Sequence, residues 1–131
     1  YKRYDVKKDR SVPEGAIPCE PEKNKHTGHW PHWVKCDIGN KADKWHMAAF
    51  MASEGWEDGT YELVGPKVNG NRDGFESHRL IPHGKDIIEN VPIQFDELKE
   101  WIADKEIEGI VWHHPDGRMV KIKKKDFGYK W

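Results

Sequence analysis

Cysteine is scarce in this chain. Cys19 and Cys36 are the only two in 131 residues, too few for a disulfide framework. Long apolar runs are missing as well, so no segment reads as a membrane span, and no signal peptide is visible. Excess charge of one sign is also absent. With 22 basic and 23 acidic residues the formal net charge is -1, and global charge gives no pointer to nucleic acid. Repeats and low-complexity stretches are lacking, and nothing signals an oligomeric state. These absences lead to the expectation of a soluble, intracellular, cytoplasmic chain with no membrane partner. The sequence opens on Tyr1 rather than Met, inside a strand-like stretch, and stops at Trp131 without a tail, so both ends read as cut.

What is present is aromatic. Hydrophobic residues make up 36% and mean hydropathy is -0.96, yet the chain holds seven Trp, four Tyr and four Phe. Large rings bury much area per residue, so a core is feasible with few aliphatics and disorder is disfavoured. The length suits one domain or a large part of one. Charge is unevenly placed: Lys2, Arg3, Lys7, Lys8 and Arg10 open the chain, and Arg118, Lys121, Lys123, Lys124, Lys125 and Lys130 close it. Glu54, Glu57, Asp58, Asp96, Glu97 and Glu100 lie between. A protein holding polyphosphate in one cleft shows such a distribution; so does any protein with ordinary charge blocks.

Residues 1–6 alternate polar and apolar types and predict a strand. Residues 8–33 carry Pro13, Pro18, Pro21 and Pro31 and keep no period, which predicts a long ordered loop pinned by Trp30 and Trp33. A helix is expected over 40–54, with Asn40 as N-cap and Gly55 as stop. Strands are expected at 61–65 and 78–83, around a Gly/Asn-rich turn region. Phe95, Leu98, Trp101 and Ile102 mark a second helix, and Ile107–His113 with Arg118–Lys123 a closing hairpin. Strands, helices and long loops in this order predict an α+β domain.

The hairpin carries the sharpest chemical signal. Residues two apart in a strand share a face, so Lys121 and Lys123 point the same way. A two- or four-residue loop around Pro115-Asp116-Gly117 would put Glu108 on that face, and a three-residue loop with a glycine bulge would not. Two cations on one inward face call for an anion, which favours the first arrangement. A carboxylate facing two lysines is a competent polyphosphate site: the lysines neutralise phosphate oxygens, and the carboxylate can hold Mg²⁺ through water. A cross-strand Glu–Lys pair on an exposed sheet is also common.

Lys2-Arg3-Tyr4-Asp5, Tyr61-Glu62-Leu63-Val64-Gly65, Glu108-Gly109-Ile110-Val111 and Val120-Lys121-Ile122-Lys123 stand in a fixed order that resembles the covalent nucleotidyltransferases: DNA ligases, RNA ligases and mRNA-capping enzymes. Residues 61–71 (Tyr-Glu-Leu-Val-Gly-Pro-Lys-Val-Asn-Gly-Asn) and 80–84 (Leu-Ile-Pro-His-Gly) are similar to a group of small 5′-to-3′ RNA ligases. Pro-Glu-Gly-Ala-Ile-Pro-Cys (13–19) and Thr-Gly-His-Trp-Pro (27–31) fit that group too, and the resemblance spans nearly the whole chain.

The resemblance implies an ATP-dependent RNA ligase core. Residues 1–131 would form part of a nucleotidyltransferase (adenylation) domain, with antiparallel sheets and helices around an ATP cleft. RNA ends, ATP and Mg²⁺ would be its substrates and cofactors, and RNA repair its setting. It further implies that Arg3 contacts the nucleotide and that Glu62 meets the ribose or a metal-bound water. Glu108, Lys121 and Lys123 would be catalytic, binding nucleotide and, through Glu108, metal. One departure matters: the Lys-x-Asp-Gly motif bearing the adenylated lysine, expected shortly before Tyr1, does not occur. Lys67-Val68-Asn69-Gly70 matches only superficially and lies after the Glu62 strand. By itself the chain is therefore expected not to form lysyl-AMP. Other readings are an inactive nucleic-acid-binding module that kept the fold, and a DNA-ligase or capping core, against which residues 61–84 argue.

Tyr61, Phe75 and Trp112 are candidates to stack on adenine, although core packing suits each as well. Cys19, His26, His29, His32 and Cys36 form a cluster with possible zinc spacing that matches no standard motif. The Lys123-Lys124-Lys125 run reads either as an extension toward an RNA backbone or as a solvated terminus.

Overall fold

The alternation at the start of the chain produces β1 (Lys2–Val6), as expected. Its partner comes from the stretch read as a loop. Trp30–Val34 forms β3, antiparallel to β1 with Tyr4 opposite His32, and Ile17–Pro18 forms the short edge strand β2, giving the order β1-β3-β2. Pro31 obscured this central strand, because proline lacks a ladder donor. The structure tolerates it because the Pro31 carbonyl accepts from Cys19 N–H at 2.9 Å, so the missing N–H falls at the ragged β2 side and costs β1 nothing. Trp30 does pin the loop: its indole N–H donates to Glu20 O at 2.8 Å.

The computed structural model describes residues 1–131, which divide into two compact units, Tyr1–Lys85 and Asp86–Trp131. In the first unit, Asn40 caps a 3-10 turn (Lys41–Asp43) by accepting from Ala42 N–H at 2.9 Å. The α-helix proper, α1, runs Lys44–Met51, shorter at both ends than the sequence suggested. Its C-terminal carbonyls are covered by Trp56, whose indole N–H donates to Phe50 O at 2.9 Å and Ser53 O at 3.1 Å. An aromatic thus completes an end that was assigned to Gly55. Next come β4 (Tyr61–Val64) and β5 (Arg79–Pro82), an antiparallel pair in which Glu62 faces Ile81. Trp45 of α1 stacks on His78 at 4.1 Å and 13°, and Gly65 packs directly against His78. A β-carbon at Gly65 would fall 2.7 Å from His78 Cα, and the Gly65 φ of 146° is itself glycine territory.

The second unit is built on α2 (Phe95–Ala103) and the antiparallel hairpin β6 (Gly109–His113) and β7 (Met119–Lys123). Asp96 and Glu97 occupy the first turn of α2, where carboxylates favour the positive end of the helix dipole. Leu98 and Ile102 face inward against Ile110 and Phe127, with Trp101, Trp112, Ile122 and Tyr129 around them. This helix and hairpin match the periodicity read from the sequence.

One buried charge organises the first unit. Asp43 is 1% exposed, and its carboxylate accepts from the Lys2 ammonium and, at 3.0 Å, from Asp37 N–H. The hydrogen bond from Lys2 and that from Asp37 hold its carboxyl below the ordinary aspartate value, against the opposing effect of burial. Replacing Asp43 by Asn leaves the Lys2 ammonium without its counter-charge and should cost about 3 kcal/mol in urea denaturation. The folded-state value is the depressed one, so this stabilisation is complete above the unfolded aspartate pKa, about 3.9. It should be lost as pH falls through the lower folded value, and the wild-type advantage over Asp43→Asn should shrink across that acid window.

Candidate phosphate-binding hairpin

In the closing hairpin, β6 and β7 pair Gly109 with Lys123, Val111 with Lys121 and His113 with Met119. The ladder continues one rung into the turn, where His114 N–H donates to Arg118 O at 2.8 Å. Pro115, Asp116 and Gly117 then form a three-residue loop, and Gly117 takes a φ of 91°. Asp116 fastens it: its carboxylate accepts from Arg118 N–H at 2.9 Å and pairs with the Arg118 guanidinium at 2.7 Å and with His114 Nδ1 at 2.8 Å. The Arg118 N–H bond is the chief reason that the Asp116 carboxyl sits below its usual value.

This loop corrects the expectation for Glu108. With three residues in the turn, Lys121 and Lys123 share a face with Val111 and Gly109, while Glu108, opposite Lys124, belongs by alternation to the other face. Glu108 nevertheless meets the lysines. It lies just outside β6, where its carboxylate is free to bend around the end of the ladder, and Oε1 stands 3.2 Å from Lys123 Nζ. Lys123 is held a second time, its backbone N–H donating to Asp126 at 2.7 Å. The structure thus brings Glu108 and Lys123 together, with Lys121 exposed one pleat along on the Lys123 face.

Gly109 makes this approach feasible. A β-carbon there would collide with Ile122 O and lie 2.8 Å from Lys123 Cα, so the glycine of Glu108-Gly109-Ile110-Val111 lets β7 lie tight against β6. That requirement was not read from the motif.

Of the other candidates, all but Trp112 lie in the first unit. Arg3 is exposed on the β1 face it shares with Trp33, and Glu62 is exposed on β4. Each stands on its own sheet. Tyr61 is half-buried edge-on to Trp56, its hydroxyl donating to Glu57 O at 2.7 Å. Phe75 is fixed through its backbone, exchanging two hydrogen bonds with the Asn71 carboxamide. Trp112 packs at the margin of the second unit's core. On the same hairpin, Trp112, His113, His114, Arg118, Met119 and Val120 line an open depression of about 530 Å³.

The Cys/His cluster is dispersed. No three His, Cys, Asp or Glu side chains converge as metal ligands. Asn24 orders the loop instead, accepting from His26 N–H at 2.9 Å and Thr27 N–H at 3.0 Å. His32 is buried with Nδ1 2.9 Å from Trp30 O, and His29 pairs with Asp5 at 3.1 Å. Burial raises the Cys36 thiol, which disfavours a thiolate. Lys124 is also neither solvated nor extended. It is 7% exposed, and its ammonium bonds the carbonyls of Ala103, at the end of α2, and of Lys105, just beyond it.

A small α+β chain with a glycine-tight hairpin that presents a Glu–Lys pair is the class these features define. The family model for RNA ligase 1 matches residues 51–131, and the chain belongs to the RNA ligase 1 family. It is 33% identical to RNA ligase 1 of Danio rerio, with 85% of this chain and 44% of that protein aligned. It is 32% identical to RNA ligase 1 of Pongo abelii and of Mus musculus, covering 85% of this chain and 43% of each relative. The chain therefore spans less than half the length of the curated relatives it matches. No helix is long and apolar enough to cross a membrane.

A Gly109→Ala substitution should force β6 away from β7. We expect a loss of about 1–3 kcal/mol, typical of overpacking against backbone, in thermal or urea unfolding, with Val111→Ala as an exposed control on the same strand.

Proposed function

We propose that this chain is the core of an ATP-dependent RNA ligase that joins a 5′-phosphate to a 3′-hydroxyl, and that its fold is part of a nucleotidyltransferase domain. Family membership supports RNA ends as the substrate class. The observation that carries the chemical reading is the Glu108–Lys123 contact of 3.2 Å, with Lys121 exposed on the same strand face.

Joining such ends proceeds by activation. In the intact enzyme a lysine outside this sequence attacks the α-phosphate of ATP, pyrophosphate leaves, and AMP passes to the RNA 5′-phosphate. The 3′-hydroxyl then attacks that phosphate and AMP departs. These steps need charge neutralisation and in-line alignment more than covalent help. Lys123, fixed by Glu108 and by Asp126, offers an ammonium at a set position, and Lys121 offers a second one on the same face. Both would neutralise phosphate oxygens. Arg3 and Glu62 are proposed to contact the nucleotide, Glu62 at the ribose or a metal-bound water.

Mg²⁺ fits this donor set only through water. One Glu108 oxygen already faces Lys123, and no carboxylate cluster forms an inner coordination sphere. When bound, Mg²⁺ supplies further neutralisation of phosphate charge, with Glu108 holding its waters.

Incubation with radiolabelled ATP tests the reading. Residues 1–131 should stay unlabelled, whereas a polypeptide extended upstream to a Lys-x-Asp-Gly should carry AMP. In the extended protein, Lys121→Ala and Lys123→Ala should each slow labelling by about 100-fold, the scale for removing one preorganised charge partner. An extended protein that takes no label would favour the nucleic-acid-binding module instead.

A further inference from the structure

A buried cation stands directly behind the proposed site. Lys124 follows Lys123, and strand alternation turns it to the opposite face, toward α2. Its side chain is 7% exposed, and no carboxylate accompanies it. Its ammonium instead donates to Ala103 O at 3.3 Å and to Lys105 O, and stands 5.4 Å from the centroid of the Trp131 ring. Ala103 is the last residue of α2, so the ammonium caps one carbonyl that the helix leaves unpaired, at the negative end of its dipole, and a second carbonyl just beyond the helix. Packing alone would be met by an aliphatic residue. A lysine here ties the end of β7 to the end of α2.

The backbone of Lys124 meanwhile closes the hairpin. Its N–H donates to Glu108 O at 2.8 Å, the rung beyond the Gly109–Lys123 pair, and its carbonyl accepts from Tyr129 N–H at 3.1 Å. Glu108 has left the strand at that point, and its carboxylate reaches Lys123 from this one anchored carbonyl. Hairpin ends fray where nothing holds them. Fraying of the Glu108–Lys124 rung would release the carboxylate from Lys123.

We propose that Lys124 is a positioning residue for the phosphate chemistry: its ammonium, locked on the carbonyls of Ala103 and Lys105 at the end of α2, holds Glu108 against Lys123. The proposal rests on the ligase reading only for its catalytic consequence, since the mechanical link is separate from it. Lys124 itself touches no substrate.

The test uses the full-length protein with Lys124→Met, Lys124→Arg and Glu108→Gln, each checked for folding by circular dichroism. Acetylation footprinting by mass spectrometry first reads the accessibility of the Lys123 amine. Lys124→Met should raise its acetylation rate by about threefold, as for release of a partly exposed ion pair, with Lys121 unchanged and Lys124→Arg restoring protection. An unchanged Lys123 rate overturns the proposal. The second readout is sealing of RNA that already carries a 5′-adenylate. There Lys124→Met should lower kcat by about tenfold with KM for RNA within about twofold, and the effect should not add to that of Glu108→Gln. Unchanged kcat, or full additivity, overturns the catalytic consequence. If Lys124→Met does not fold, Lys124→Gln, which keeps a donor on a shorter stem, replaces it in both assays. A wild-type protein that seals nothing removes the ligase reading, while the footprint still decides the link between Lys124 and Lys123.

Discussion

The closing hairpin depends on how near two backbones can come at Gly109. With no side chain there, β7 passes against β6 at its last regular pair, and Glu108 is left just beyond, free to turn. The ion pair with Lys123, the rung to Lys124 and the burial of the Lys124 stem all follow from that approach. The site is an edge effect. A regular ladder would have kept the carboxylate and the lysines on opposite faces, and the end of the ladder lets them meet.

Around that edge, two kinds of cation do different work. Lys123 is half-exposed and paired with one carboxylate, a partner that solvent can reach and replace. Lys124 is enclosed by carbonyls and an aromatic face, partners that cannot leave. Adjacent lysines in one basic run thus divide into an exposed, ion-paired side chain and a buried, carbonyl-bound one because strand alternation sends them to different surroundings. The same division occurs at the start of the chain, where Lys2 is spent on the buried Asp43 and Arg3 stays exposed.

Much of this was legible beforehand, for identifiable reasons. The helix of Phe95, Leu98 and Ile102 and the strands flanking Pro115-Asp116-Gly117 carry a clear period and a clear turn, and both elements formed where expected. The family was legible because its motifs keep their order. The β3 strand was hidden by Pro31, whose missing donor is harmless only once its neighbour is known to be an edge. The face of Glu108 is not legible in the sequence, because it turns on a loop length that Gly117 and Asp116 decide locally. Lys124 could not be found from sequence at all. A lysine beside two others reads as surface, and nothing in the run announces the carbonyls that await it.

The contact between Gly65 and His78 has its own consequence. The histidine touches both a glycine backbone and the Trp45 ring, so a helix and the turn after β4 meet at the residue that leads into β5. Position 65 therefore admits no stepwise drift. Even the smallest chiral residue would meet both the His78 backbone and its ring, so a change at this glycine calls for a matching shift of the chain that leads into β5.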